Sequence, residues 1–393
     1  MPTVRAFTLA DFDRITVAEL RERGGLNWSL YPDRIGSFVA EMDFGCAPEI
    51  IQALHAGVDD QRFGYLPPAL VADMSLACTT WLADSYDWQV APEDIRPVGD
   101  VIAGFEIAIE HFSRPGSAVV VPTPAYKHFL DVPPRLGRQV VEVAMVMAEE
   151  RWQFDLDGLD RAFSAGAGLL VLCSPYNPLG RVFSREELLA VSEVVERHGA
   201  RVVADEIHCP LVFRGACHIP YATVSAAASA HSITAVSASK AWNLAGLKCA
   251  QVVLTNDNDR VTWAGLGVAA EIGTSNLGLV ANAAAYRSGG PWLSGVLAYL
   301  DRNRTRLGDL VNERLPGVLY RPPEGTYLAW LDCTARNLGD RPGDFFAEHA
   351  GVVFTEGADC GDAGRGCVRL NLATPQPVLD QIVDRMADAL AAR

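Results

Sequence analysis

Between residues 117 and 237 the chain alternates short apolar runs with amphipathic segments, and no other feature limits its fold as strongly. SAVVV at 117–121 reads as a buried strand followed by the turn Pro122-Thr123-Pro124. QVVEV at 139–143 is a second strand, and GLLVLC at 168–173 a third, ended by the turn SPYNP at 174–178. SREELLAVSEVVERH at 184–198 reads as a helix: Ser184 can cap it, Glu187 completes a capping box, and Gly199 stops it. Strands then begin at 201–204 (RVVA) and 232–237, with the small-residue stretch 225–230 between them read as a loop. Apolar strands separated by helices predict an α/β fold with a mostly parallel sheet covered on both faces. In such sheets ligands bind beyond the carboxyl ends of the strands.

A chain of 393 residues suits about two domains. From about Pro291 the pattern changes to a long amphipathic helix (292–306), a strand hairpin and a terminal helix from Pro377. This predicts a smaller domain at 291–393, joined by an N-terminal arm at 1–58, around a large domain at 59–290. The net charge of −15 argues against a nucleic-acid backbone or an anionic membrane as partner, because no basic excess exists to release counterions. The nine cysteines show no C-x-x-C pair and no ligand cluster, which predicts free thiols in a reducing compartment and no metal. The start, MPTVRAFTLADFDRI, lacks the apolar run of a signal peptide, so the chain reads as cytoplasmic.

Four residues carry candidate chemistry. Lys240 follows an apolar strand and a serine-rich turn (VSASK); a lysine withdrawn from water has a depressed pKa and becomes a nucleophile able to form an imine. By itself S-x-S-K also fits a solvated turn lysine. Asp205 ends the apolar run Val202-Val203-Ala204, where a carboxylate needs a partner: a cationic ring nitrogen, a helix N-terminus or an ion pair. Asn177 lies in a turn just past a strand, and Arg369 sits inside the apolar segment CVRLN. A guanidinium there suits a bidentate grip on a carboxylate, or an interdomain salt bridge. No H-E-x-x-H and no G-x-G-x-x-G after a strand occur, which argues against a zinc protease and a dinucleotide fold.

SPYNPLGR, then VADEIH, then SASKAWNLAGLK, then VRLN stand in an order and spacing that resemble the fold-type I enzymes of pyridoxal 5′-phosphate (PLP), the aspartate aminotransferase superfamily. The resemblance implies a large domain with a seven-stranded, mostly parallel sheet sandwiched by helices, and a smaller α+β domain built from both termini. It implies that Lys240 forms the imine with PLP, Asp205 partners the pyridine nitrogen, Asn177 bonds the ring oxygen and Tyr126 stacks on the ring, with His208 beside the cofactor. Asp100, Val101 and Ile102 would open a helix whose amides hold the phosphate, completed by Ser237, Ser239 and Lys248. Arg369 would hold the substrate carboxylate.

Trp28, AEMDF (40–44), FGY (63–65) and GTYLAWLD (325–332) are similar to the cystathionine β-lyase branch of bacterial C–S lyases. That likeness adds Trp28 and Asp43 as substrate-side residues. It also implies a homodimer in which Tyr65 reaches the neighbouring subunit's phosphate. Glu41 in place of the commoner aspartate, and Lys127-His128 after Tyr126, depart from the branch near the substrate entrance. The expected reaction is cleavage of a cysteine S-conjugate or cystathionine-like amino acid to thiol, pyruvate and ammonia. Transamination or decarboxylation would use the same residues, and a non-catalytic PLP-binding regulator is the reading from another class. Cys209, next to His208, reads as a buried structural thiol facing away from it.

Overall fold

The structure, a computed structural model, describes residues 9–393; residues 1–8, which open the segment read as leaderless, lie outside the described residues. Seven strands form the larger sheet, in the order Ile95–Val98, Ala250–Leu254, Ser232–Val236, Arg201–Asp205, Leu169–Cys173, Val119–Thr123, Val140–Ala144. Every pairing is parallel except those of Ala250–Leu254, which runs against both neighbours. The central strands are buried on both faces, so they read as unbroken apolar runs rather than alternating ones. Of the seven, only the edge strand Val140–Ala144 carries fully exposed residues.

The sequence places most of these elements within one or two residues. The helix expected at 184–198 runs Arg185–Arg197, with Ser184 accepting from Glu187 N and Glu187 accepting from Ser184 N. Such a cap stabilises a helix by about 1 kcal/mol. The stretch 225–230 is not a loop: Ala226–His231 is a helix capped by the Ser225 hydroxyl on Ala228 N. Consecutive alanines favour the helix, and the serine in front supplies its cap.

A second sheet of five strands has the order Ile35–Ser37, Val352–Glu356, Cys367–Asn371, Leu328–Asp332, Leu319–Tyr320. Its first strand comes from the N-terminal segment and pairs in parallel with Val352–Glu356. The long helix Gly290–Arg314 and the terminal helix Gln376–Ala391 pack together beside it. The helix Pro48–Asp59, by contrast, packs on Asn276–Ser288, which also lies against Pro68–Tyr86. A tight contact joins the two sheets near the loop after Cys173: Gly180 has φ +69°, its carbonyl accepts from Glu324 N and Gly325 N, and a Cβ there would lie 2.2 Å from Pro323 Cβ. Glycine fits that position because it alone avoids both the backbone strain and the clash.

Among the described residues no helix is long and apolar enough to cross a membrane, and no group of side chains has the makings of a metal site. All nine cysteines are free.

Candidate active site

The carboxyl ends of the parallel strands meet the second sheet around a cavity of about 410 Å³. Asp205 is the last residue of its strand, Asp100 follows Ile95–Val98, Tyr126 follows Val119–Thr123, Asn177 follows Leu169–Cys173, and Lys240 follows Ser232–Val236. All five line the cavity. Because Ala250–Leu254 runs backwards, its beginning lies at this same edge, which brings Lys248 to Asp100 at 2.7 Å. Arg369 reaches the cavity from the second sheet, on a strand flanked at that position by Thr355 and Trp330.

Two ionisable groups of opposite sign, one buried and one half-buried, face the same space. Asp205 is fully buried; burial raises its carboxyl to about 7 despite the bond it accepts from Ile207 N at 3.0 Å. Lys240 is half-buried; desolvation, then the nearby Arg369 guanidinium, lower its ammonium to about 8. Its Nζ donates to the Ala40 carbonyl at 2.9 Å. A carboxylate held in such a place with a single backbone donor is costly unless a cation meets it.

At the rim, Asp100 caps the helix Val101–His111 through Ala103 N and holds Lys248. Burial pushes the Asp100 carboxyl up, but Lys248 and the helix amides outweigh it and leave it below its ordinary value. Val101 and Ile102, the first two residues of that helix, line the cavity, as does Ser239. This combines amides at the start of an eleven-residue helix with a hydroxyl and an ammonium, the donor set that suits a phosphate.

Arg369 donates Nη1 to Asn177 Oδ1 at 3.0 Å and Nη2 to the Phe38 carbonyl at 2.6 Å, while its buried Nε has no partner. His208 is buried in the cavity wall, 5.8 Å from the Tyr327 ring, and its Nδ1 is also unpartnered. Burial, then Lys240 and Arg369, hold its imidazole well below the ordinary value, so it is neutral. Both nitrogens belong to residues that line the cavity and leave bonding capacity for a further group there. Tyr126 and His128 stack on one wall with ring centroids 4.8 Å apart.

Four expected residues stand elsewhere. Trp28 and Asp43 do not line the cavity: Trp28 Nε1 donates to Asp43 Oδ1 at 2.7 Å, and the buried carboxyl rises to about 6 through desolvation. The indole thus holds one carboxylate oxygen, and the structure pairs the two residues with each other rather than placing them in the cavity lining. Ser237 lies behind the rim; its hydroxyl donates to the Cys249 carbonyl and accepts from Ser239 N, fixing the turn that carries Lys240. Tyr65 is 93 % exposed, on a separate surface cleft with Leu66, Val268 and Ile272. Cys209 is buried as expected, but it and His208 lie in a turn after the strand, so strand alternation is not the reason.

Sequence reasoning missed the carbonyls of Phe38 and Ala40, which accept from Arg369 and Lys240, and Tyr327, whose hydroxyl also donates to Ala40 O at 2.9 Å. Backbone acceptors leave no residue signature, so no signal pointed to them. Ile207, two positions past Asp205, lines the cavity and was findable from that spacing.

Residues 39–386 match the family described as aminotransferase class I and II. The chain belongs to that family. Among its relatives is a cystathionine beta-lyase from Corynebacterium glutamicum, 37 % identical over 373 residues, covering 95 % of this chain and 98 % of the relative. The cystathionine beta-lyase PatB from Bacillus subtilis is 31 % identical, over 91 % of this chain and 93 % of its own. Cystalysin from Treponema denticola, whose crystal structure contains pyridoxal 5′-phosphate, superimposes with a TM-score of 0.91 at 26 % identity, covering 97 % of this chain and 99 % of cystalysin. The seven-stranded sheet and its helices follow the architecture of this class I and II family.

Proposed function

We propose that this chain is a PLP-dependent carbon–sulfur β-lyase, converting an S-substituted cysteine or cystathionine-like amino acid and water into a thiol, pyruvate and ammonia. The observation that carries the reading is the convergence of buried Asp205 and half-buried Lys240 on one cavity with Arg369 at its side. Relatives matched along nearly the whole chain bear β-lyase names. The residues present fit PLP: a buried carboxylate short of donors, a phosphate-type rim and two orphaned buried nitrogens. When bound, PLP supplies an electron sink for the pair left behind as the Cα proton departs.

In this reading the chain's residues bind, orient and move protons. Val101 and Ile102 amides, Ser239 and Lys248 hold the phosphate, with Asp100 anchoring both the lysine and the helix. With PLP bound, Asp205 would keep a proton on the ring nitrogen, and Tyr126, the Asn177 amide and neutral His208 would hold the ring. Arg369 turns from Asn177 and Phe38 O to the substrate carboxylate, which fixes Cα beside Lys240. With its ammonium lowered to about 8, Lys240 has an accessible free-amine form near neutral pH and takes the Cα proton as general base. Loss of thiolate from Cβ follows.

The same proposal includes a homodimer in a reducing, cytoplasmic setting. Supporting it are Tyr65, Val268 (79 % exposed) and Ile272 (69 % exposed), which flank an apolar surface cleft of about 730 Å³. A second copy seated there would bury them and carry Tyr65 toward its own phosphate rim. The proposed division into 1–58, 59–290 and 291–393 draws on the two separate sheets, with Pro48–Asp59 as a bridge onto the large one.

Purified protein with PLP is expected to release pyruvate and thiol in equal amounts from cysteine S-conjugates, and Lys240→Ala to release neither. Absence of both products from every S-conjugate tried overturns the proposal.

A further inference from the structure

Apart from the residues assigned to the reacting end and the phosphate rim, the cavity is lined mainly by apolar and aromatic side chains: Leu26, Phe38, Val39, Ile102 and the stacked Tyr126–His128 pair. Leu26 is 49 % exposed, so this lining extends to solvent. Burial lowers the His128 imidazole from its ordinary value, which favours its neutral form. The charged groups lining the cavity are Asp100, Lys248, Asp205, Lys240 and Arg369. The first two are bonded to each other at 2.7 Å, and the other three serve the reacting end of the substrate. Lys127, next to Tyr126, is exposed and does not line the cavity.

A cystathionine-type substrate carries a second ammonium and a second carboxylate at its far end. Against these side chains neither would meet a counter-charge, and whatever water each gave up would be lost without compensation. An apolar group of similar size would instead gain from burial, and a flat one could lie along the rings. Resting on the β-lyase reading, we infer that the leaving thiol of the preferred substrate bears an uncharged, apolar substituent rather than a second amino-acid head group.

The test uses PLP-loaded enzyme and ligands in which CH₂ replaces sulfur, so binding is read without any C–S cleavage. These are 2-amino-5-phenylpentanoate (for S-benzylcysteine), 2,7-diaminosuberate (for cystathionine) and norvaline (for S-methylcysteine). Dissociation constants come from the change in cofactor absorbance. The phenyl ligand is expected to bind about tenfold or more tighter than diaminosuberate. His128→Ala and Leu26→Ser should each narrow the phenyl-to-norvaline ratio by about fivefold, while His128→Phe preserves it. Lys127→Gln should not change the phenyl-to-diaminosuberate ratio. Diaminosuberate binding as tightly as the phenyl ligand overturns the inference, and so does its selective weakening by Lys127→Gln. His128→Ala weakening norvaline as much as the phenyl ligand overturns it too. Pyruvate release, measured separately with the sulfur compounds, tests the lyase reading, so the two fail independently.

Discussion

The carboxyl edge of the large sheet and the N-terminal strap at residues 38–43 enclose one cavity by different means. The sheet edge presents side chains: Asp205 closes its strand, and Lys240, Asn177 and Asp100 each sit just past the end of one. The strap presents main chain: the carbonyls of Phe38 and Ala40 accept from Arg369 and Lys240. Of its residues only Phe38, Val39 and Ala40 line the cavity, and none of them brings a polar side chain to it. Asp43 bonds Trp28, and Asn27 and Asn371 hold the strap through Val39 O and Glu41 O. Function that resides in side chains at the edge is exposed to single substitutions. Function that resides in carbonyls is exposed only through whatever holds the backbone in place.

The largest effect should come from the sheet edge. Lys240→Ala is expected to lower kcat by at least about a thousandfold and to abolish the yellow absorbance of bound PLP. A variant that keeps the colour and a tenth of the turnover would break the comparison. Next, Arg369→Lys should lower kcat/KM for the amino-acid substrate by about a hundredfold, mainly through KM, because a point ammonium cannot reproduce the two-pronged contact. Steady-state kinetics with two S-conjugates of different size separates this from a loss of fit along the apolar lining.

Asp205 gives a stability test with a defined sign. Its folded value, about 7, lies above the ordinary 3.8, so the cofactor-free fold favours the protonated form. The stabilisation this represents is complete below about pH 4 and is lost as pH rises towards 7. Without PLP, Asp205→Asn should therefore gain stability over the wild type with rising pH, by about 2–4 kcal/mol at pH 8. With PLP the order should reverse, since the carboxylate then has its cation. Urea titrations at pH 5 and pH 8, with and without cofactor, measure both.

The strap should respond more gently. Asp43, raised to about 6 by burial, follows the same sign over pH 4 to 6. Asp43→Asn should keep the acceptor for Trp28 and stabilise the protein above pH 6 by about 1–3 kcal/mol, with kcat within about threefold of wild type. A loss of turnover as deep as that of Arg369→Lys would show that Asp43 meets the substrate after all.

The same contrast explains what could be read from the chain in advance. Strand ends were legible because buried β-strands are continuous apolar runs, and a polar residue closing such a run, as Asp205 does, stands out. Trp28 and Asp43 read as substrate-side residues because the sequence displays two groups of the kind that bind substrates, while only coordinates show that they bond each other. Ser225–Ala230 was misread because small residues serve loops and helices alike, and the deciding bond, Ala228 N to Ser225 Oγ, is local but silent in composition. Tyr327 and the two carbonyls depend on a meeting between segments nearly three hundred residues apart, Ala40 and Tyr327 among them. No local pattern encodes that meeting.

Borohydride reduction of the PLP-loaded protein, followed by digestion and mass mapping of the pyridoxyl label, tests the central claim directly. A single label on the peptide carrying Ser237-Ala238-Ser239-Lys240, located on Lys240, is the predicted result. A label on Lys127 or Lys248, or no label from a protein that still binds the cofactor, would contradict it.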